Sequence, residues 1–283
     1  RDENGRKTVE TDKGMYNADI VIMAVGVRPN IALAKKAGLE IGESGGIKTD
    51  LLMQTSVPDI YAAGDCVESK NLVSGKFGVL PMASPANKQG RAAGANALGR
   101  KIAVKGSTGT AIVKVFGLTV ASTGLSERQT VQENMTPNAV YVLGGHHAGY
   151  YPGAKVMTMK TVADADSGRL LGAQIVGPEG VDKRIDVLAT ALYNRMQADE
   201  LIDLDLAYAP PYASARDLVI VAGALAQNCK SEDWQPITPL ALQKRIEDGP
   251  DDFTLLDART VPELKNSGTI SGAIHIPIDD LRQ

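Results

Sequence analysis

Thr55-Ser56-Val57-Pro58-Asp59-Ile60-Tyr61-Ala62-Ala63-Gly64-Asp65 is the stretch on which the reading of this chain turns. The apolar run Ile60 to Ala63 predicts a buried strand, closed by a glycine that lets the backbone turn tightly and then by an aspartate. In an open α/β sheet such a strand delivers its last residue to the carboxyl edge, where ligands bind. A carboxylate held there can accept hydrogen bonds from the hydroxyls of a sugar or sugar alcohol. The competing reading is that Gly64-Asp65 merely ends a strand, and the dipeptide alone does not choose between them.

Composition narrows the classes around that stretch. A chain of 283 residues suggests two domains, at roughly 150 residues each. With 43% hydrophobic and 22% charged residues it is neither disordered nor collagen-like. Thirty Lys and Arg against thirty-three Asp and Glu, a net charge of −3, leave no basic footprint for nucleic acid. The longest clean apolar run, Leu218 to Ala226, is about half of what a bilayer span needs. No charged-then-apolar leader is present, so a cytoplasmic protein without membrane or nucleic-acid partners is expected. Cys66 and Cys229 lie far apart without a Cys-x-x-Cys, which excludes a dithiol pair and a disulfide framework. His146, His147 and His275 show no metal-ligand spacing, so no metal is expected. Twenty-nine glycines with only 4% aromatics suit an α/β fold with many tight joints. The chain opens on Arg1 inside a hairpin-like stretch, which points to a fragment.

Along the chain, residues 7–25 predict a strand, a turn at Asp12-Lys13-Gly14, and an apolar strand Ile20 to Val25 covered on both faces. Asn30 is placed as N-cap of a short helix, Ile31 to Ala37, stopped by Gly38. Ser84-Pro85 is expected to open a helix with Ser as cap, its Ala86, Gly90, Ala93 and Ala97 forming a stripe of small residues. Residues 111–116, 139–144, 155–163 and 170–176 read as strands of an antiparallel sheet, with Met157 and Met159 alternating with Thr158 and Lys160. Asp166-Ser167-Gly168 is a turn between the last two. Ser126 with Gln129 forms a capping box. Helices are expected at Val181 to Gln197, with Ile185, Leu188, Ala189, Leu192 and Met196 on one face, and at Ala215 to Ala226. A polar, proline-containing linker follows, then a helix near Leu240 to Glu247 and a strand, Phe253 to Leu256.

The eleven-residue string resembles the second flavin-binding motif of the pyridine nucleotide-disulfide oxidoreductases, in which the aspartate contacts the ribityl chain of FAD. Ala24-Val25-Gly26-Val27-Arg28-Pro29-Asn30 resembles that family's return from its NAD(P) domain to its FAD domain. The segment Pro81 to Arg91 resembles the helix whose N-terminus faces the flavin, where free N–H groups and the positive helix end would stabilise charge on the reduced ring. The resemblance implies Gly26, Gly64, Asp65, Pro81, Ala83, Pro85 and Tyr208 as cofactor-binding residues, with FAD and NADH or NADPH as cofactors. Close packing of a helix on a sheet explains the small stripe equally.

Residues 111–226 resemble the family's dimerisation domain, which implies a homodimer. The His-Pro and Glu of glutathione-reductase-like members are missing; Tyr208-Ala209-Pro210-Pro211-Tyr212 and Tyr150-Tyr151-Pro152-Gly153 resemble instead the coenzyme A-disulfide reductases, NADH oxidases and polysulfide reductases, which use a single redox cysteine. By that resemblance Tyr208 reaches the partner's flavin region, while Tyr150 or Tyr151 approaches the reactive sulfur as donor or general acid. Arg216, and more weakly Lys88, would meet coenzyme A phosphates, coenzyme A being the expected substrate or ligand. Interface packing for the tyrosines and a helix-start surface charge for Arg216 are the structural alternatives. His146 and His147 are given a loop role, and Cys66 a packing role. Leu255 to Pro277 resembles the first half of a rhodanese domain, with Ala258 and Thr269 departing from the usual Val and His.

The fold expected is α/β: the end of an NAD(P)-binding domain (1–30), the C-terminal part of an FAD-binding, Rossmann-like domain (31–106), an α+β dimerisation domain (107–227), a linker (228–238) and an incomplete rhodanese-like unit (239–283). The function implied is FAD-dependent reduction of coenzyme A disulfide or of polysulfide and persulfide, small-molecule disulfide or sulfane-sulfur substrates. An NADH oxidase and a non-catalytic dimerisation fragment are the alternatives. No Gly-x-Gly-x-x-Gly and no redox cysteine in a helix-opening motif occur, so the chain alone is expected to show no turnover.

Overall fold

Lys7–Thr11 (β1) turns over Asp12-Lys13 and returns antiparallel as Gly14–Ala18 (β2). The computed structural model describes residues 5–231, 234–249 and 253–281; residues 1–4, 232–233, 250–252 and 282–283 lie outside them. The strand expected from Ile20 to Val25 does not form, and Ile22 is 84% exposed. An unalternating apolar run makes a strand only when neighbours accept its backbone hydrogen bonds and cover both faces, and no described strand of this chain pairs with it.

The short helix α1 (Ala32–Lys36) is preceded by Ile31, without a side-chain cap, and not by Asn30. It ends where expected, with Gly38 N–H on the Lys35 carbonyl. Ala34, Leu39, Ile47 and Val67 form a small core, against which Cys66 packs. Ile60 to Ala63 is a one-sided pairing and not a full strand: Tyr61 bridges Gln54, with Ala62 N–H on the Met53 carbonyl at 3.1 Å. Glu68–Lys70 (β3) and Phe77–Val79 (β4) follow as an antiparallel pair. Helix α2 (Ala83–Ala97) begins two residues before the expected start, with Met82 at the cap and Ser84 and Pro85 inside the first turn. Proline is tolerated there because first-turn N–H groups lack helical partners anyway. Its buried face is Gln89, Ala92 and Asn96, whereas Gly90 and Ala97 of the small stripe are exposed. The amides win because they are satisfied: Asn96 donates to the Leu52 and Ile102 carbonyls at 2.8 and 2.9 Å and accepts from Ile102 N–H at 2.7 Å.

The second half is a five-stranded antiparallel sheet, β5 (Ala111–Val115), β6 (Leu118–Gly124), β7 (Pro137–Gly145), β8 (Val156–Asp164) and β9 (Leu170–Gly177), in the order β5-β6-β9-β8-β7. Sequence reading misses β6 because only Phe116-Gly117 separates it from β5, with Phe116 in the left-handed region, so no loop signature marks the hairpin. Met157 and Met159 point into the core, Thr158 does not. The Ser126–Gln129 capping box opens α3 (Glu127–Gln132). Helix α4 (Val181–Tyr193) buries Val181, Ile185, Leu188 and Leu192, together with Arg184. It stops four residues short of Gln197, because Arg195 turns left-handed; Met196 still packs on the core from beyond the helix end. A 3-10 turn (Asp199–Asp203) leads on to α5 (Leu218–Lys230), which starts after its Asp217 cap and runs past the expected end. Cys229 therefore lies in a helix and not in the linker, and burial pushes its thiol up, away from the reactive thiolate.

Residues beyond 231 form a separate unit. Thr238 caps α6 (Pro239–Asp248). The expected strand shrinks to Leu256–Asp257 (β10), parallel to Ile274–His275 (β11), with α7 (Val261–Ser267) between them. Asp257 binds Arg259 through two bonds, of 2.9 and 2.6 Å, and accepts the Thr269 hydroxyl at 2.8 Å. Arg259 holds the Asp257 carboxyl well below the usual carboxylate range. A depressed folded-state pKa stabilises above the unfolded value, about 3.9, and that contribution disappears as pH falls through the folded value. Asp257→Asn should therefore flatten the acid limb of this unit's stability. Hydrogen exchange of residues 256–275 across about pH 2 to 5 reads it, and an unchanged limb would disprove the coupling.

Candidate functional site

Gly64 stands at φ +87°, a conformation that favours glycine, and a Cβ there would lie 3.8 Å from that of Ala86 in α2. Its N–H donates to Gln89 Oε1 at 2.8 Å, and Gln89 Nε2 donates to Ser69 Oγ at 2.6 Å. One buried amide thus ties α2 to the turn and to β3. Asp65 follows with its side chain exposed. Met82 gives α2 no side-chain cap, and the N–H groups of Ala83 and Ser84 find no acceptor among the described residues. An exposed carboxylate and an open helix N-terminus therefore border the same turn. Pro81 and Ala83 are exposed and Pro85 half-buried in this first turn. Gly26 lies in the exposed stretch after β2, at φ +77°.

Lys88 lines a cleft of about 460 Å³ together with Ser84, Asp186, Thr190 and Tyr193. Arg216 is exposed just before the α5 cap and is not among that cleft's lining residues.

Tyr150 and Tyr208, 58 positions apart, are brought together: their hydroxyls are 3.0 Å from each other. Both remain open, 76% and 49% exposed. Tyr151 instead sets its ring at right angles to His147, with centroids 5.5 Å apart. The hydrogen bond with Tyr208 raises the Tyr150 phenol above its ordinary value, so Tyr150 holds its proton at neutral pH. Direct bonds join the two loops: Ala148 N–H donates to the Pro210 carbonyl at 3.3 Å, and Ser214 Oγ donates to the His147 carbonyl at 3.2 Å. His146 Nδ1 accepts from Lys155 N–H at 3.0 Å and its Nε2 faces Glu179 at 3.2 Å, the loop role expected of it.

Sequence reading passed over Gln89, Arg184 and Asp217. Arg184 and Asp217 form an ion pair at 2.7 Å, 1% and 2% exposed. Their signal was present: a charge on the apolar face of α4 between Val181 and Leu188, and an aspartate directly before the apolar run of α5.

Two family models match, pyridine nucleotide-disulphide oxidoreductase over residues 1–90 and the dimerisation domain of the same family over residues 110–219. The chain belongs to the pyridine nucleotide-disulfide oxidoreductase family. It is 42% identical over 220 residues to an NAD(P)H sulfur oxidoreductase (CoA-dependent) of Pyrococcus furiosus, a match covering 77% of this chain and 50% of the relative. Among solved structures it is similar to reduced CoADR-RHD of Bacillus anthracis, at TM-score 0.89 and 42% identity. An NAD-dependent persulfide reductase from A. fulgidus gives TM-score 0.88 at 40% identity. Each of these two structural matches covers 99% of this chain and 50% of the other. The chain spans about half the length of the relatives it matches. No described helix is long and apolar enough to cross a membrane, and no cluster of metal-ligating side chains occurs among the described residues.

Proposed function

We propose that this chain is part of an FAD-dependent NAD(P)H oxidoreductase that reduces coenzyme A disulfide or polysulfide and persulfide. The single redox cysteine would come from the remainder of the protein. The observation that carries the sulfur reading is the Tyr150–Tyr208 hydroxyl contact, two phenols held open where glutathione-reductase-like members use a His and a Glu. A phenol that keeps its proton at neutral pH can donate to a developing thiolate.

The turn at Gly64 fits the flavin. Asp65 would accept from a ribityl hydroxyl, and the free N–H groups of Ala83 and Ser84 would face the polar edge of the ring, with Pro81 and Pro85 shaping the approach. Bound there, FAD supplies the two-electron chemistry between nicotinamide and sulfur. Gly26 would belong to the crossing from the nicotinamide-binding domain, and Lys88 and Arg216 would meet coenzyme A phosphates. The match to a dimerisation domain supports a homodimer in which Tyr208 reaches the partner's flavin region. The parallel pair β10–β11 and the Asp257–Arg259 fork support a rhodanese-like start for residues 239–283. The partners are small molecules and a second copy, not nucleic acid or lipid, and the protein acts in the cytoplasm.

Joined to the remaining half of the protein, the chain should bind yellow FAD and oxidise NADH or NADPH when given coenzyme A disulfide or polysulfide. The 283 residues alone should do neither reductase nor sulfurtransferase chemistry. A whole protein that reduces oxygen but neither sulfur substrate would overturn the reading.

A further inference from the structure

The two tyrosines stand on loops without regular structure, yet their hydroxyls meet at 3.0 Å. Something beneath them must fix both loops. Arg184 Nη2 donates at once to Asp217 Oδ2 at 2.7 Å and to the His146 carbonyl at 2.8 Å, four residues before Tyr150. Its Nε reaches Asp217 Oδ1 at 3.3 Å and its Nη1 the Gly180 carbonyl at 3.1 Å. The next residue back in α4, Lys183, donates its Nζ to the Ala207 carbonyl at 3.2 Å, directly before Tyr208. Asp217 in turn caps α5 through the N–H of Val219 at 3.1 Å, closing the loop that carries Tyr208. One turn of α4 thus grips both loops.

Stability does not by itself call for a charged pair at this place, because apolar residues of similar volume often pack as well. What the pair offers is direction: the planar guanidinium presents its donors in a rigid fork. Gly180 shows how tightly that fork is seated, since a Cβ there would lie 2.6 Å from Arg184 Nη1 and 2.8 Å from His146 Cβ.

We propose that Arg184 and Asp217 are positioning residues for the Tyr150–Tyr208 pair, joining the two loops so that the phenols meet in one arrangement. This rests on the reading of that pair as a donor to sulfur.

The test is the titration of Tyr150 in the full 283-residue chain, followed by fluorine resonance after fluorotyrosine incorporation and assigned by Tyr150→Phe. Asp217→Asn keeps the size of the cap and removes its charge. Arg184→Lys keeps the core charge and loses the fork, and it carries the test if the first variant does not fold. In either folded variant the Tyr150 midpoint should fall toward its value in Tyr208→Phe. Combined with Tyr208→Phe, neither should lower it further. Glu179→Gln, which touches the same loop through His146 from outside, should leave it in place. An unchanged midpoint in a folded Asp217→Asn or Arg184→Lys chain, or an equal drop in the Tyr208→Phe background, overturns the proposal. The titration needs no flavin and no sulfur substrate. A Tyr150→Phe enzyme with undiminished sulfur turnover would therefore overturn the sulfur reading while leaving the joint between the loops standing.

Discussion

Replacing Tyr208 with phenylalanine should lower kcat of the whole enzyme on its sulfur substrate by about 10²-fold, the lower range for loss of a positioned proton donor. Phenylalanine keeps the ring and removes only the hydroxyl that meets Tyr150 at 3.0 Å. Two consequences should separate this from lost packing. The Tyr150 phenol, now held up by its bond with Tyr208, should drop back toward its ordinary value. The high-pH limb of kcat should move down with it. A raised folded-state pKa means that the protonated contact is fully formed below the unfolded value of about 10 and is lost as pH rises through the folded value. Activity that depends on this proton is accordingly flat at neutral pH and falls only on the alkaline side. Steady-state kinetics over about pH 6 to 11 measure both effects. Unchanged kcat, or a decrease with no movement of the alkaline limb, would remove Tyr208 from proton donation and leave it to interface packing.

Arg184→Ala should be the most damaging single change to stability in this part of the molecule, costing about 3 to 5 kcal/mol. The loss is not the value of a favourable contact. Asp217 would be left as a buried, uncompensated carboxylate, and the carbonyls of Gly180 and His146 would lose their donor in the core. Arg184→Met with Asp217→Leu should recover most of the loss, since both charges then leave together. Urea unfolding of the single and double variants, read by circular dichroism, compares them. If the single variant loses less than about 1 kcal/mol, the pair is solvated and the buried geometry is wrong. If the double variant regains stability while the Tyr150 midpoint stays low, packing and positioning separate as the structure implies.

Much of the architecture can be read in the sequence, for local reasons. The alternation of Met157 and Met159 with polar neighbours, the Asp166-Ser167-Gly168 turn, the Ser126–Gln129 box and the apolar periodicity of α4 each encode their own geometry in adjacent residues. Where reading failed, the missing information was non-local. Ile20 to Val25 has the composition of a doubly covered strand, but strands exist only as pairs and no described strand pairs with it. The small stripe of α2 looks like a packing face, yet the helix turns Gln89 and Asn96 inward because their amides find partners on Gly64, Ser69, Leu52 and Ile102. β6 hid behind a two-residue hairpin.

The candidate site divides along the same line. Residue order alone determined the family resemblance, the Gly64-Asp65 turn and the two tyrosine segments, because each is a short string whose chemistry sits in consecutive residues. Only the tertiary structure decided that Tyr150, and not Tyr151, meets Tyr208, that Lys88 lines a cleft with Ser84 and Tyr193, and that a buried arginine on α4 joins both loops. Those facts depend on where distant segments cross, and crossings are set by packing of the whole core, which no local string specifies.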